Sequence, residues 1–153
     1  MDIKGFIVYI LLIIFKRPER MPIILFSIFN DDNFKLYQLL NEIRMCYSFY
    51  HPSVIKGDHR SQLISVIEQL IIEWKTHIQQ EDNLMQFYFY PKADLHISNH
   101  LKILKLLELY RFELVTGVST ILDNRTIYFR KLIVNHIKND DREFDRYIFK
   151  KQY

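Results

Sequence analysis

Residues 60–79, RSQLISVIEQLIIEWKTHIQ, decide the fold class. Leu63, Val66, Ile67, Leu70, Ile71, Trp74 and Ile78 recur at steps of three and four, while Ser65, Glu68, Gln69, Glu73 and Thr76 fall between them. At about 100° per residue this draws one apolar stripe along one face of a helix. Asp58 is suited to the N-cap, where its side chain can accept from free backbone N–H groups. The stripe is read as core, with Trp74 as its largest member.

The same period appears on either side. Leu36, Leu40, Ile43, Tyr47 and Tyr50 predict a helix over 31–50, with Asn30, Asp31 and Asp32 as capping oxygens and His51-Pro52 as its end. Ile103, Leu104, Leu107, Tyr110 and Leu114 predict a helix from about Ser98 to Val115, closed by Gly117 in a left-handed conformation. Another helix begins near Asp123 and carries Ile127, Phe129, Leu132, Ile133 and Ile137. Asn139-Asp140-Asp141 is expected to break it and to cap a last short helix with Phe144, Tyr147 and Ile148. Residues 79–83 read as a polar break, and residues 84–90 as a short strand or extended aromatic segment ended by Pro91.

The N-terminus is different. Residues 6–15 are ten apolar residues without a break, and a polar link at 16–20 separates them from a second apolar run at 21–29. As a helix the first run would span about 15 Å, half of a bilayer core. Its Ile, Val, Tyr and Phe favour strands, so a buried hairpin or strand pair is expected. A buried helix, a membrane or export segment, and an extension upstream of Met21 are the alternatives. The expected architecture is therefore mainly α: one domain over 1–153, a compact bundle of about five helices, with residues 1–29 packed on it or membrane-associated.

Composition narrows the function classes. The chain has 153 residues, 49% hydrophobic and 25% charged, the proportions of a globular domain. One cysteine, Cys46, excludes an internal disulfide framework and a four-cysteine zinc module, and is read as a buried inert thiol. Three isolated glycines leave no glycine-rich phosphate cradle, and there is no G-x-S-x-G elbow. Twenty-two Ile against a single Ala (Ala93) points to an AT-rich genome such as that of a virus or mobile element, and to a core filled by large side chains. Net charge is +3, concentrated in residues 125–153, which hold eight basic against four acidic groups.

Three constellations could carry chemistry. His96 and His100 stand four apart, on one face of a helix, and could share a metal with Asp94 and a distant His51 or His59. The zinc-protease form needs Glu after the first His, where Ile97 stands, and two solvated or capping histidines are the simpler expectation. No metal or other cofactor is expected. Second, Arg125, Arg130, Lys131, Lys138, Arg142, Arg146 and Lys150 interleave with aromatic residues, a pattern that can track phosphates and stack on bases. Asp140, Asp141, Glu143 and Asp145 sit among them. Third, Arg130 and His136, with five residues between them, resemble the Arg-His motif of HEPN-type ribonucleases over seven residues. That resemblance implies a small all-helical protein in which the Arg and His, usually from two protomers, act on the RNA 2′-hydroxyl and phosphate. Lys131 stands where that family commonly has a polar residue after the Arg.

The reading that follows is a non-enzymatic helical interaction module. It is expected to be intracellular, soluble or peripherally membrane-associated. Its partner is another protein, in a hetero- or homo-oligomer, met through exposed apolar or aromatic surface. Nucleic-acid binding through the C-terminal helices is the first alternative and a HEPN-like ribonuclease the second. A membrane partner would act through residues 6–15.

Overall fold

The computed structural model describes residues 21–48, 57–118 and 122–152. They form helices α1 (Met21–Ser48), α2 (Gly57–Phe87), α3 (Ala93–Thr116), α4 (Leu122–His136) and α5 (Arg142–Gln152), with a π-helical turn, Ile137–Asp141, joining the last two. Because α4, the π turn and α5 run on without a break, the described residues make four helical rods and contain no strand. Each helix packs on the next, and α4 packs back on α1 to close the ring. Helices joined by short connections in this order are neighbours in a four-helix bundle.

The stripes place the core as the period requires. Leu63, Val66, Ile67, Leu70, Ile71 and Trp74 of α2 are buried against Leu36, Leu39, Leu40 and Ile43 of α1. Ile103, Leu107, Tyr110 and Leu114 of α3, with Phe129, Ile133 and Ile137 of the fourth rod, complete this cluster. A smaller apolar cluster of Met85, Tyr90, Phe144 and Ile148 closes one end of the bundle. At the far end of α3, Gly117 takes φ 78° and donates its N–H to Glu113, the expected left-handed stop. Arg60 of α2 donates to the Leu114 carbonyl at 2.6 Å, covering an acceptor that the helix end leaves free.

Several local expectations are corrected. Residues 21–29, expected as the second strand of a hairpin, are the first turns of α1, and Asn30–Asp32 lie inside that helix rather than at its start. Pro22 is compatible with this, since a first-turn N–H has no helical acceptor anyway. Residues 6–15 lie outside the described residues. The polar stretch 79–83 does not interrupt α2, and residues 84–87 are its last turn rather than a strand. The stop comes at Phe89, a non-glycine residue at φ 52°. There the Tyr90 N–H donates to Met85 O at 2.9 Å and the Phe89 N–H to Gln86 O at 3.3 Å. This is a Schellman closure, sealed by the packing of Tyr90 with Met85. With no Gly or Asn at the left-handed position, the sequence's signal for this stop is Pro91, just beyond it. Cys46 is half-buried rather than buried, and burial pushes its thiol pKa up.

Candidate metal centre

Between the two apolar clusters lies a polar layer. On α2 the buried stripe runs on from Trp74 to His77, Glu81 and Met85; on α3 it runs from His96 through His100 to Ile103. The fourth rod adds His136 and Asp141. All six of these polar residues are at most 3% exposed. Five positions in an α-helix are about 140° apart. The wider π turn is what lets His136 and Asp141 both face inward. Single π turns inside helices are frequent at functional sites.

The donor atoms converge. His96 Nε2 lies 2.9 Å from Glu81 Oε2, and His100 Nε2 lies 3.1 Å from the same oxygen. His77 Nε2 is 3.4 Å from Glu81 Oε2 and 3.6 Å from Asp141 Oδ2. His136 Nε2 is 2.8 Å from Asp141 Oδ1, and His96 Nε2 is 3.4 Å from it. The two ring nitrogens of His96 and His100 are themselves 3.1 Å apart. One donor atom from each of His77, Glu81, His100, His136 and Asp141 can be chosen so that all five lie within 4.8 Å of one another.

Hydrogen bonding accounts for only part of this convergence: His96 Nε2 meets Glu81 Oε2 and His100 Nε2 at hydrogen-bond distances. His77 Nε2, Glu81 Oε1 and Asp141 Oδ2 are buried without a hydrogen-bond partner, and His136 Nε2 and Asp141 Oδ1, 2.8 Å apart, lack the alignment of a hydrogen bond. Orphaned buried polar atoms cost about 1–3 kcal/mol each, so such a set calls for a compensating group. Donors on one ion at about 2.1 Å lie about 3.0 Å apart at a right angle and about 3.4 Å apart in a tetrahedron. The shorter separations here, 2.8–3.6 Å within a set spanning up to 4.8 Å, are close to those edges.

Charge points the same way. Two buried carboxylates need positive partners. Burial opposes a charge on His96, but contacts with Asp141 and Glu81 prevail and raise its pKa to about 9. Burial, with repulsion from His136 and His96, lowers His100 to about 3, and burial also lowers His77. Asp141 is held below the ordinary carboxylate range by His136 and His96, against the effect of its burial. A divalent cation would balance Glu81 and Asp141 with all four imidazoles neutral.

Further groups stand behind the imidazoles. His136 Nδ1 donates to Asp140 Oδ2 at 2.9 Å, and Asn99 of α3 donates to the same oxygen at 3.1 Å. Asp82 Oδ1 is 3.6 Å from His100 Nδ1, too long for a hydrogen bond. Trp74 stacks on His77 at 5.0 Å between ring centres and donates its indole N–H to the His100 carbonyl at 3.2 Å.

The sequence-level candidates divide sharply. His96 and His100 meet as their spacing requires, but inside the core, not as the solvated pair expected at a helix start. Asp94 is exposed and takes no part, and the side chains of His51 and His59 lie outside the described residues. The layer is completed instead by His77, Glu81, His136 and Asp141. A signal for them was present: His77 and Glu81 fall where the α2 stripe continues. His136 is buried with its ring nitrogens facing Asp140 and Asp141, so it offers no surface partner to the half-buried Arg130. Lys131, Lys138, Arg142, Arg146 and Lys150 are exposed, whereas Arg125 pairs with Glu113. Among the described residues, no helix is long and apolar enough to cross a membrane. No protein-family model matches the chain, and neither does any curated protein or solved structure.

Proposed function

We propose that this protein is a metalloprotein whose helical bundle holds at least one divalent first-row transition-metal ion among His77, Glu81, His96, His100, His136 and Asp141. The observation that carries the reading is the orphaned, converging donor set in a layer otherwise sealed by apolar packing. The bundle core is where helical proteins build such centres from side chains on facing helices.

The donor chemistry narrows the ion. Imidazole with carboxylate suits iron, manganese and zinc better than magnesium or calcium, and no thiolate is present to favour copper(I). Five converging donor residues, with His96 beside them, exceed the four that structural zinc takes, which favours iron or manganese. The second carboxylate oxygens of Glu81 and Asp141 would add donor capacity for a further ion. Because the donors are buried, the chemistry suited to this centre is electron transfer or the binding of a diatomic molecule, not attack on a bulky substrate.

The full chain, stripped with chelator and incubated separately with Fe(II), Mn(II) and Zn(II), is expected to retain one ion or more per chain by elemental analysis. His100→Ala and Glu81→Ala should each abolish retention. No retained metal in the wild-type chain would overturn the reading.

The interaction-module reading stands beside this one. Leu101, Leu109, Phe112 and Val115 of α3 are more than half exposed, an apolar surface on which another protein could dock.

A further inference from the structure

His136 differs from the other imidazoles of the layer. Its Nδ1 faces Asp140 Oδ2 at 2.9 Å, and a carboxylate oxygen can only accept, so Nδ1 carries the proton. Nε2 faces the layer, 2.8 Å from Asp141 Oδ1, and a bound ion would take the place of any proton held there, while Asp140 keeps the proton on Nδ1. The acceptor is itself held: Asn99 Nδ2, one residue before His100 on α3, donates to the same Asp140 oxygen at 3.1 Å. The π turn makes the arrangement possible, since it directs Asp141 inward and leaves Asp140 beside the outer nitrogen of His136. The contrast with His100 is informative. Its Nδ1 is buried without a partner, and Asp82 stands 3.6 Å away. Of these second contacts, the one behind His136 is formed, within the fourth rod, and Asn99 ties its acceptor to α3.

We propose that Asp140 and Asn99 are positioning residues for the metal centre: Asp140 fixes the proton and orientation of His136 so that Nε2 is offered to the ion, and Asn99 holds Asp140 in that role. The proposal rests on the metal reading above. Partners of this kind behind a metal-bound histidine typically contribute 10–100-fold in metal affinity. They also join α3 to the fourth rod, so the geometry at the ion depends on a contact outside it.

The test is Co(II) titration of the full chain, followed by its visible absorption, with ¹⁵N-histidine NMR of the metal-free protein. Asp140→Ala should weaken Co(II) binding by about 10–100-fold without changing the number of ions bound. Asn99→Ala should weaken it in the same direction by less. Asp140→Glu, which restores an acceptor, should recover part of the loss. In the NMR spectrum the Nδ1–H of His136 should be seen in the wild type, and in Asp140→Ala the proton should move toward Nε2, where Asp141 Oδ1 can accept it, a change that a purely structural role would not produce. If Asp140→Ala does not fold, Asn99→Ala keeps every ligand in place and carries the test. Wild-type affinity in both variants, or an unchanged tautomer, would overturn this proposal alone. A wild-type chain that takes up no Co(II) would overturn the metal reading and this proposal with it.

Discussion

The two halves of α2 obey one geometry and do opposite things. From Leu63 to Trp74 its inner stripe is apolar and packs into the main core; from His77 to Glu81 the same stripe, still buried, is polar. Spacing therefore reports burial, while residue type reports what the burial is for. An apolar stripe is stabilised by leaving water. A polar stripe at equal depth loses hydration and must recover it from partners, and here the partners come from two other rods.

The comparison can be broken most forcefully in the apolar half. Leu70→Ala should cost about 2–5 kcal/mol in urea denaturation, the range for emptying a packed leucine site. It should leave the number of metal ions bound unchanged. Loss of metal stoichiometry in a still-folded Leu70→Ala chain would show that the halves are not separable.

A smaller effect sharpens the polar half. In metal-free protein, His77 and His100 are held below their ordinary pKa, His100 at about 3. Their contribution to stability is complete above about 6.5 and is lost as pH falls toward 3, because the unfolded chain takes up protons that the fold resists. His96 has the reverse sign: with its pKa raised to about 9, its contribution is complete below about 6.5 and lost as pH rises through 9. Urea denaturation in chelator should thus show greatest stability near neutral pH, falling on both sides. A flat profile from pH 5 to 9 would argue that the layer is hydrated and unstrained. Leu70→Ala should lower the curve without changing its shape.

The smallest effects are at the helix ends, where the two left-handed residues can be exchanged in type. Gly117→Ala should cost about 1–2 kcal/mol, since φ 78° disfavours any Cβ and the new methyl would lie 3.1 Å from Arg60. Phe89→Gly, at φ 52° with its ring 87% exposed, should gain about 1 kcal/mol in the same assay.

How far the sequence could be read follows the same division. The stripes of α2 and α3, the stop at Gly117 and the mainly helical class were legible, because apolar period is a direct signal of a buried face. The continuation of α2 through Glu81 was not. A run such as Gln79–Asn83 looks like a loop when polarity is taken for exposure, and only its period, 74, 77, 81, 85, betrays a buried stripe. The His96–His100 pair was legible as a spacing. The depth at which it sits was not, because burial of a histidine depends on partners from distant positions, His77, Glu81, His136 and Asp141. The π turn left no recognisable mark: Asn139-Asp140-Asp141 reads as a break, whereas one wider turn inside a continuous rod satisfies the same residues.

The placement of Trp74 has an optical consequence. It is the chain's single tryptophan, its ring stacks on His77, and it meets His100 and His136 edge-to-face with ring centres 5.7 and 5.4 Å away. All of the protein's indole emission therefore originates beside the polar layer. A paramagnetic ion seated there would drain that emission by short-range energy or electron transfer, while zinc, with its filled d shell, would leave most of it. The unlabelled protein thus carries its own occupancy gauge, in which quenching follows arrival of the ion and recovery on adding chelator follows its departure.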